Sequence, residues 1–269
     1  MCSEIKYSYA EVNGTRLYYE VAGQGEPLVL IHGLFLNTKM WDNQYQEFSK
    51  QYKVIRYDIR GYGKSSNPKE GVTYSNHADL KALLDYLNIP KAHIVGLSLG
   101  GSIAINFTLE YPKYILSLIP VDSSLNGYNY TKDFLLWITS LFSIAREKSL
   151  EAALEAFLDG ALFKATMSDP SVAEGMRNLV TSYNGWKLLH NDPEVDPDPP
   201  SNDRLSEITC PVLVVVGEYD ILDFQGITDK IASTVPNARK CVIKGVGHMS
   251  NIEDHETFNK EILSFLSSF

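Results

Sequence analysis

The sequence predicts a doubly wound α/β fold: a mostly parallel sheet with an antiparallel hairpin at its N-terminus and a helical insertion in its second half. Three observations carry this reading. Short continuous apolar runs alternate with stretches of helical periodicity, the pattern of strands buried on both faces and the helices that cover them. Two alternating segments near the start flank Asn13-Gly14, a dipeptide that supplies φ > 0 for a tight hairpin turn. From about Ser123 to Leu205 the strand rhythm stops while helical patterns continue.

In chain order, the hairpin arms are Tyr7 to Val12 and Thr15 to Val21. The buried runs are Leu28 to Ile31, Val54 to Tyr57, His93 to Val95, Ile115 to Val121 and Val212 to Val216, with a shorter one at Lys240 to Ile243. Helical periodicity covers Met40 to Lys50, Asn76 to Leu87, Leu99 to Glu110, Ile227 to Thr234 and His255 to Phe265. Inside the insertion it recurs at Ala152 to Leu158 and Val172 to Leu179. The block closes with Asn191 to Pro200, where prolines forbid a continuous helix and acids are expected to keep the loop solvated. The expected division is therefore a first core part over 1–122, a helical cap or lid over 123–205 and a second core part over 206–269.

Hydrophobic residues make up 44% of the 269 and charged residues 21%, enough apolar surface for a large core. A formal net charge of -9 repels phosphate backbones and anionic lipid. Nucleic acid and membrane are thus not expected as partners; a small molecule is. The opening MCSEIKYSYAEVNG carries no apolar segment of a secretory signal, and no later run is long enough to span a bilayer, so a cytoplasmic location is expected. Cys2, Cys210 and Cys241 form an odd count without metal-ligand spacing, which argues against a disulfide framework or a zinc site.

Gly96-Leu97-Ser98-Leu99-Gly100 follows a buried run directly and opens a helical pattern. A serine on a sharp strand-to-helix turn needs small neighbours so that the backbone can bend and present the hydroxyl. Ser98 is the expected nucleophile. A serine hydroxyl is weak at neutral pH and requires a base, and in this topology an acid and then a histidine follow it in the chain. His248, on a loop with Gly245 and Gly247, has that order; His32, His77, His93, His190 and His255 are expected in structural roles. Asp220, just past the run Val212 to Val216, is the expected acid, with Asp122 the alternative because it too ends a core run. For the oxyanion, the backbone N–H of Leu99 and one from the loop His32-Gly33-Leu34-Phe35 are available, Leu34 preferred over Phe35. Phe35 and Trp137 are candidate substrate-binding residues, and the large apolar residues of the insertion (Phe134, Leu135, Trp137, Ile138, Leu141, Phe142, Phe157, Leu162, Phe163 and Trp186), some of which are expected to line the pocket, favour an apolar substrate portion.

These motifs resemble the α/β-hydrolase superfamily: LVLIHG at Leu28 to Gly33, YDIRGYGKSS at Tyr57 to Ser66, VGLSLGG at Val95 to Gly101, VLVVVGEYD at Val212 to Asp220 and GVGH at Gly245 to His248. The chain is most similar in look to small bacterial carboxylesterases and lactonases, and its first half to 3-oxoadipate enol-lactonases. The resemblance implies a helical lid over the site and makes Asp58 and Arg60 a packing pair. Haloalkane dehalogenases and epoxide hydrolases of this fold use an aspartate where this chain has Ser98. Carbon–carbon bond hydrolases usually carry a Gly-Pro-rich oxyanion loop, from which Leu34 to Asn37 departs. The expected function is hydrolysis of a carboxylic ester or lactone through an acyl-enzyme. The alternative is a small-molecule sensor that keeps the same three residues.

No Cys/His/Asp cluster has metal-ligand spacing and no glycine-rich loop has a dinucleotide fingerprint, so no cofactor or metal is expected. Ester turnover should therefore survive exhaustive EDTA treatment and dialysis; a loss restored by a divalent ion would refute this.

Overall fold

The computed structural model describes residues 6–268. Strands β1 (Lys6–Val12) and β2 (Thr15–Ala22) form the antiparallel hairpin, with Asn13 and Gly14 both at positive φ, 47° and 71°. The core then alternates: β3 (Pro27–Ile31), α1 (Asp42–Phe48), β4 (Lys53–Tyr57), α2 (Asn76–Tyr86), β5 (Ala92–Leu97), α3 (Leu99–Glu110) and β6 (Ile115–Val121). Between β6 and β7 the elements are helical: α4 (Lys132–Glu147), α5 (Leu150–Leu158), α6 (Lys164–Ser168), α7 (Pro170–Thr181), α8 (Trp186–Leu189) and α9 (Ser201–Arg204). The chain ends with β7 (Val212–Gly217), α10 (Leu222–Thr234), β8 (Ala238–Ile243), α11 (Ser250–Glu253) and α12 (His255–Leu266). Cys2 lies outside the described residues.

The eight strands form one sheet in the order β1-β2-β4-β3-β5-β6-β7-β8, antiparallel at β1–β2 and β2–β4 and parallel thereafter. Every residue of the central strands β5 and β7 is buried, because helices pack on both faces of a parallel sheet. The boundaries expected from the apolar runs hold to within a few residues; the largest difference is α10, which begins at Leu222, before the apolar periodicity is visible. The same edge of the sheet receives the ends of β3, β5, β6 and β7, and so brings His32, Ser98, Asp122 and Asp220 to one side. No helix among the described residues is long and apolar enough to cross a membrane.

Two expectations need correction. Asp58 and Arg60 do not pair with each other. Asp58 accepts the backbone N–H groups of Thr38 and Lys64, both at 2.8 Å, and so fastens two loops at the site edge. Arg60 instead grips Asp79 of α2 through two bonds of 2.8 and 2.6 Å and also donates to the Asn13 carbonyl, tying the hairpin turn to the helix. Nor is the acidic stretch after α8 simply solvated. Asp192 and Glu194 are the counterions of Lys187, at 2.7 and 2.8 Å, and Glu194 also accepts from Asn76 of α2. A lysine whose side chain is only 10% exposed needs such partners to stay charged, and they push its pKa up despite burial.

Burial raises the Asp79 carboxyl above its ordinary value even though Arg60 and Asn13 pull it down, so this pair is held against a desolvation cost. Arg60→Ala strands a buried acid and should lower unfolding stability by about 3–5 kcal/mol, read from the urea midpoint; a loss of about 1 kcal/mol or less would mark the pair as behaving like an exposed one.

Candidate active site

Ser98 sits between β5 and α3 at φ 55°, ψ −115°, a backbone conformation that costs a non-glycine residue roughly 1–3 kcal/mol. The bend is possible because its glycine neighbours bring backbones into contact: a Cβ on Gly96 would collide with the Gly100 carbonyl, and one on Gly100 with the Ile31 carbonyl of β3. Hydrogen bonds hold it in place, from the Ser98 N–H to the Val121 carbonyl at 2.9 Å and from Ser124 N–H and Oγ to the Ser98 carbonyl at 3.1 and 3.0 Å.

His248 lies on the loop after β8 and is 2% exposed. Its Nδ1 is 2.9 Å from Oδ2 of Asp220, whose other oxygen accepts the Ile221 N–H at 2.7 Å. With Nδ1 donating to Asp220, Nε2 is the nitrogen left to accept a proton. Burial depresses the imidazole pKa, but the Asp220 charge and hydrogen bond, backed by Asp122 and Glu253, raise it overall above its ordinary value.

Asp122, the alternative acid, does not reach His248. Its Oδ1 accepts the Gly217 N–H at 2.7 Å and its Oδ2 is paired with the Ser250 hydroxyl at 2.6 Å. Burial and the like charge of Asp220 push its carboxyl well above the usual range. The other five histidines have other surroundings: His32 accepts from the Ile59 N–H at 3.0 Å, His93 meets Ser117, His190 stacks on Trp186, His77 packs beside Tyr111, and His255 opens α12.

Ser98 and His248 line a common cavity of about 230 Å³ together with Leu34, Leu99 and Trp137. The N–H groups of Leu34 and Leu99 have no hydrogen-bond acceptor among the described residues, as donors reserved for an incoming oxyanion require. The cavity roof is apolar and comes from the block between β6 and β7: Phe134 and Trp137 of α4, Phe157 of α5, and Phe163. Phe35 stands elsewhere. It is 2% exposed, stacks on Tyr183 at 4.8 Å and lines a neighbouring cavity, so among the two candidate substrate-binding residues only Trp137 faces Ser98. Sequence reasoning missed Phe224, whose ring packs 4.4 Å from the imidazole, and Glu253, which holds the backbone around His248. Phe224 sits in the first turn of α10, whose start has no apolar periodicity to announce it.

The family model for the alpha/beta hydrolase fold matches residues 26–255. The chain belongs to the alpha/beta hydrolase fold family. The expected family, fold class and hydrolytic enzyme class are thereby borne out. Among curated relatives of this hydrolase, a 2-hydroxy-6-oxononadienedioate/2-hydroxy-6-oxononatrienedioate hydrolase of Burkholderia vietnamiensis is 30% identical over 97% of the chain and 95% of its own length. Carboxylesterase YbfK of Bacillus subtilis is 25% identical over 98% of the chain and 88% of its own. The solved enol-lactonase from Burkholderia xenovorans superposes with a TM-score of 0.80 at 25% identity, covering 97% of this hydrolase and all of that chain (100%).

The two carboxylates at the ends of β6 and β7 can be separated by isosteric substitution. Asp220→Asn in this hydrolase should cut kcat by about 10⁴-fold, because the amide favours the wrong imidazole tautomer. The kcat/KM inflection at low pH should also move down, since the carboxylate raises the imidazole pKa. Asp122→Asn should leave kcat within about tenfold and act on stability, by about 1 kcal/mol, through the Gly217 and Ser250 bonds. Steady-state kinetics on one ester with both purified variants decide; an active Asp220→Asn beside a silent Asp122→Asn would reverse the assignment.

Proposed function

We propose that this hydrolase cleaves small, uncharged carboxylic esters or lactones with an apolar acyl part, through an acyl-enzyme on Ser98. The observation that carries the reading is the Asp220–His248 hydrogen bond of 2.9 Å at the rim of a cavity that Ser98 shares. Ser98 Oγ attacks the carbonyl carbon as His248 Nε2 takes its proton. The negative oxygen of the tetrahedral intermediate is met by the Leu34 and Leu99 N–H groups, and the α3 N-terminus adds its positive dipole end. Collapse breaks the bond to the leaving oxygen, which receives the proton held on His248. Water then attacks the acyl group by the same relay, giving up its proton to His248, and Ser98 regains one. With a lactone the leaving oxygen stays tethered until that second step.

The cavity lining supports the uncharged substrate class. Its only titratable side chains among the described residues are Tyr130 and His248, and it carries no lysine or arginine. A dioate such as those in the name of the Burkholderia vietnamiensis relative brings two carboxylates, and burying them without a cation is costly. The helical block over residues 123–205 acts as the lid in this reading: its aromatic side chains exclude water from the acyl-enzyme. The cavity, at about 230 Å³, is also small beside the roughly 300–1,000 Å³ usual for ligand pockets, and so favours short acyl chains.

A fluorophosphonate should label the wild-type protein on Ser98, and Ser98→Ala should abolish labelling and ester turnover while the protein stays folded. Across p-nitrophenyl esters, kcat/KM should fall by roughly tenfold or more between butyrate and laurate, since pocket fit is worth about 1–3 kcal/mol per methylene. Labelling of another serine would sink the nucleophile; one slow turnover on every ester and lactone tried would favour the sensor alternative.

A further inference from the structure

Glu253 ends α11, five residues after His248, and its carboxylate reaches back along the chain. Oε2 accepts the Gly247 N–H at 2.6 Å and Oε1 accepts the Met249 N–H at 3.3 Å, so one side chain holds the backbone on both sides of His248. A third donor comes from outside the core. The hydroxyl of Thr166, on α6 of the helical block, lies 2.5 Å from the same Oε1, and Thr166 is fully buried. The contact is tight around that bond: a Cβ on Gly247 would meet the Ala165 Cβ at 2.9 Å, and the Phe163 ring stands edge-on to the imidazole at 6.4 Å.

From the core side the loop is held independently, by Ser250 on Asp122 at 2.6 Å and by Asn251 Nδ2 on the Met40 carbonyl at 3.0 Å. Those partners belong to the core on both sides of the bond. The Thr166–Glu253 bond is different, because it joins the base-bearing loop to the block that roofs the cavity.

We infer that Glu253 is a positioning residue for His248 and that, through Thr166, it makes the placement of the imidazole depend on the seating of the helical block over the cavity. The inference rests on the proposed role of His248 as base. With the block seated, the Thr166 hydroxyl orients the carboxylate so that both flanking N–H groups find an acceptor. With the block raised, Glu253 loses that orienting bond and the loop is free to relax. A substrate that draws the roof down therefore also aligns the base. Glu253 also lines a groove between α7 and the core, beside Leu179 and Ile252.

The test uses the full chain with Glu253→Gln, Thr166→Val and Thr166→Ser, each checked for its thermal midpoint. An amide has a single acceptor oxygen, so Glu253→Gln must turn an NH₂ toward one of the flanking N–H groups. It should lower kcat by about 10–100-fold, the scale of a misplacement near 1 Å, with KM changed by less than about threefold. Thr166→Val should lower kcat by roughly three- to tenfold with only a modest fall in the midpoint, and Thr166→Ser, which keeps the hydroxyl, should restore both. The double variant Glu253→Gln/Thr166→Val should be no slower than Glu253→Gln alone, as expected of residues acting through one bond. A Thr166→Val enzyme with the wild-type kcat, or a Thr166→Ser enzyme as slow as Thr166→Val, would overturn the inference while fluorophosphonate still labels wild-type Ser98. Failure of the wild type to label would instead overturn the reading beneath it.

Discussion

A serine forced into the left-handed region at the end of a buried strand is the constraint around which the rest of the site is arranged. Ser98 can hold φ 55° only because Gly96 and Gly100 let the chain touch itself and its neighbour β3. The contact of Gly100 with the Ile31 carbonyl brings the loop bearing Leu34 alongside the start of α3. A Cβ on Gly101 would strike the Ser123 hydroxyl, so the same turn presses against the end of β6 as well. Strain of this kind persists only where the surroundings over-determine it. Here the bonds to Val121 and Ser124 do so, and they hold the proposed nucleophile and the Leu99 N–H at the start of α3, beside the loop that carries Leu34.

The adjacency of β6 and β7 creates a second problem, since an aspartate follows each strand and both are buried. Two ionised carboxylates so close repel, and the structure resolves this by giving them different partners. Asp220 has the imidazole. Asp122 is enclosed by Gly217 and Ser250, and burial favours its neutral form. By accepting from Gly217 and Ser250 together it ties the end of β7 to the start of α11, so the discarded candidate becomes part of the support for the chosen one.

Much of this was legible in the residues because backbone requirements leave marks in composition. Asn13-Gly14, the glycines around Ser98 and the unbroken apolar runs each report a local geometry that few other residues satisfy, and the order Ser98, Asp220, His248 follows from strand order alone. What escaped depends on partners far apart in the chain. Nothing local tells Arg60 to choose Asp79 over Asp58, or Lys187 to recruit Asp192 and Glu194 from a stretch that looks merely solvated. Glu253 reads as an ordinary acid near a helix, and only the fold reveals that its carboxylate turns back on His248 and out to Thr166. Phe35 misled for the converse reason: it neighbours Leu34 in sequence, but its positive φ of 57° turns it to Tyr183.

The helical block leaves the core after β6 and returns before β7, and its two ends meet: Asn202 N–H donates to the Asn126 carbonyl at 3.0 Å and Ser201 N–H to the Asn126 side chain at 3.3 Å. Seen from the sheet, some seventy-odd residues occupy the place of a short surface turn. Closing such a gap costs nearly the same free energy whatever length of chain spans it, because the cost grows only with the logarithm of loop length. Roof and floor are thus topologically separable. One can be lengthened, trimmed or exchanged across generations while the strand-end chemistry below is inherited intact, provided the newcomer again offers a hydroxyl where Thr166 now meets Glu253.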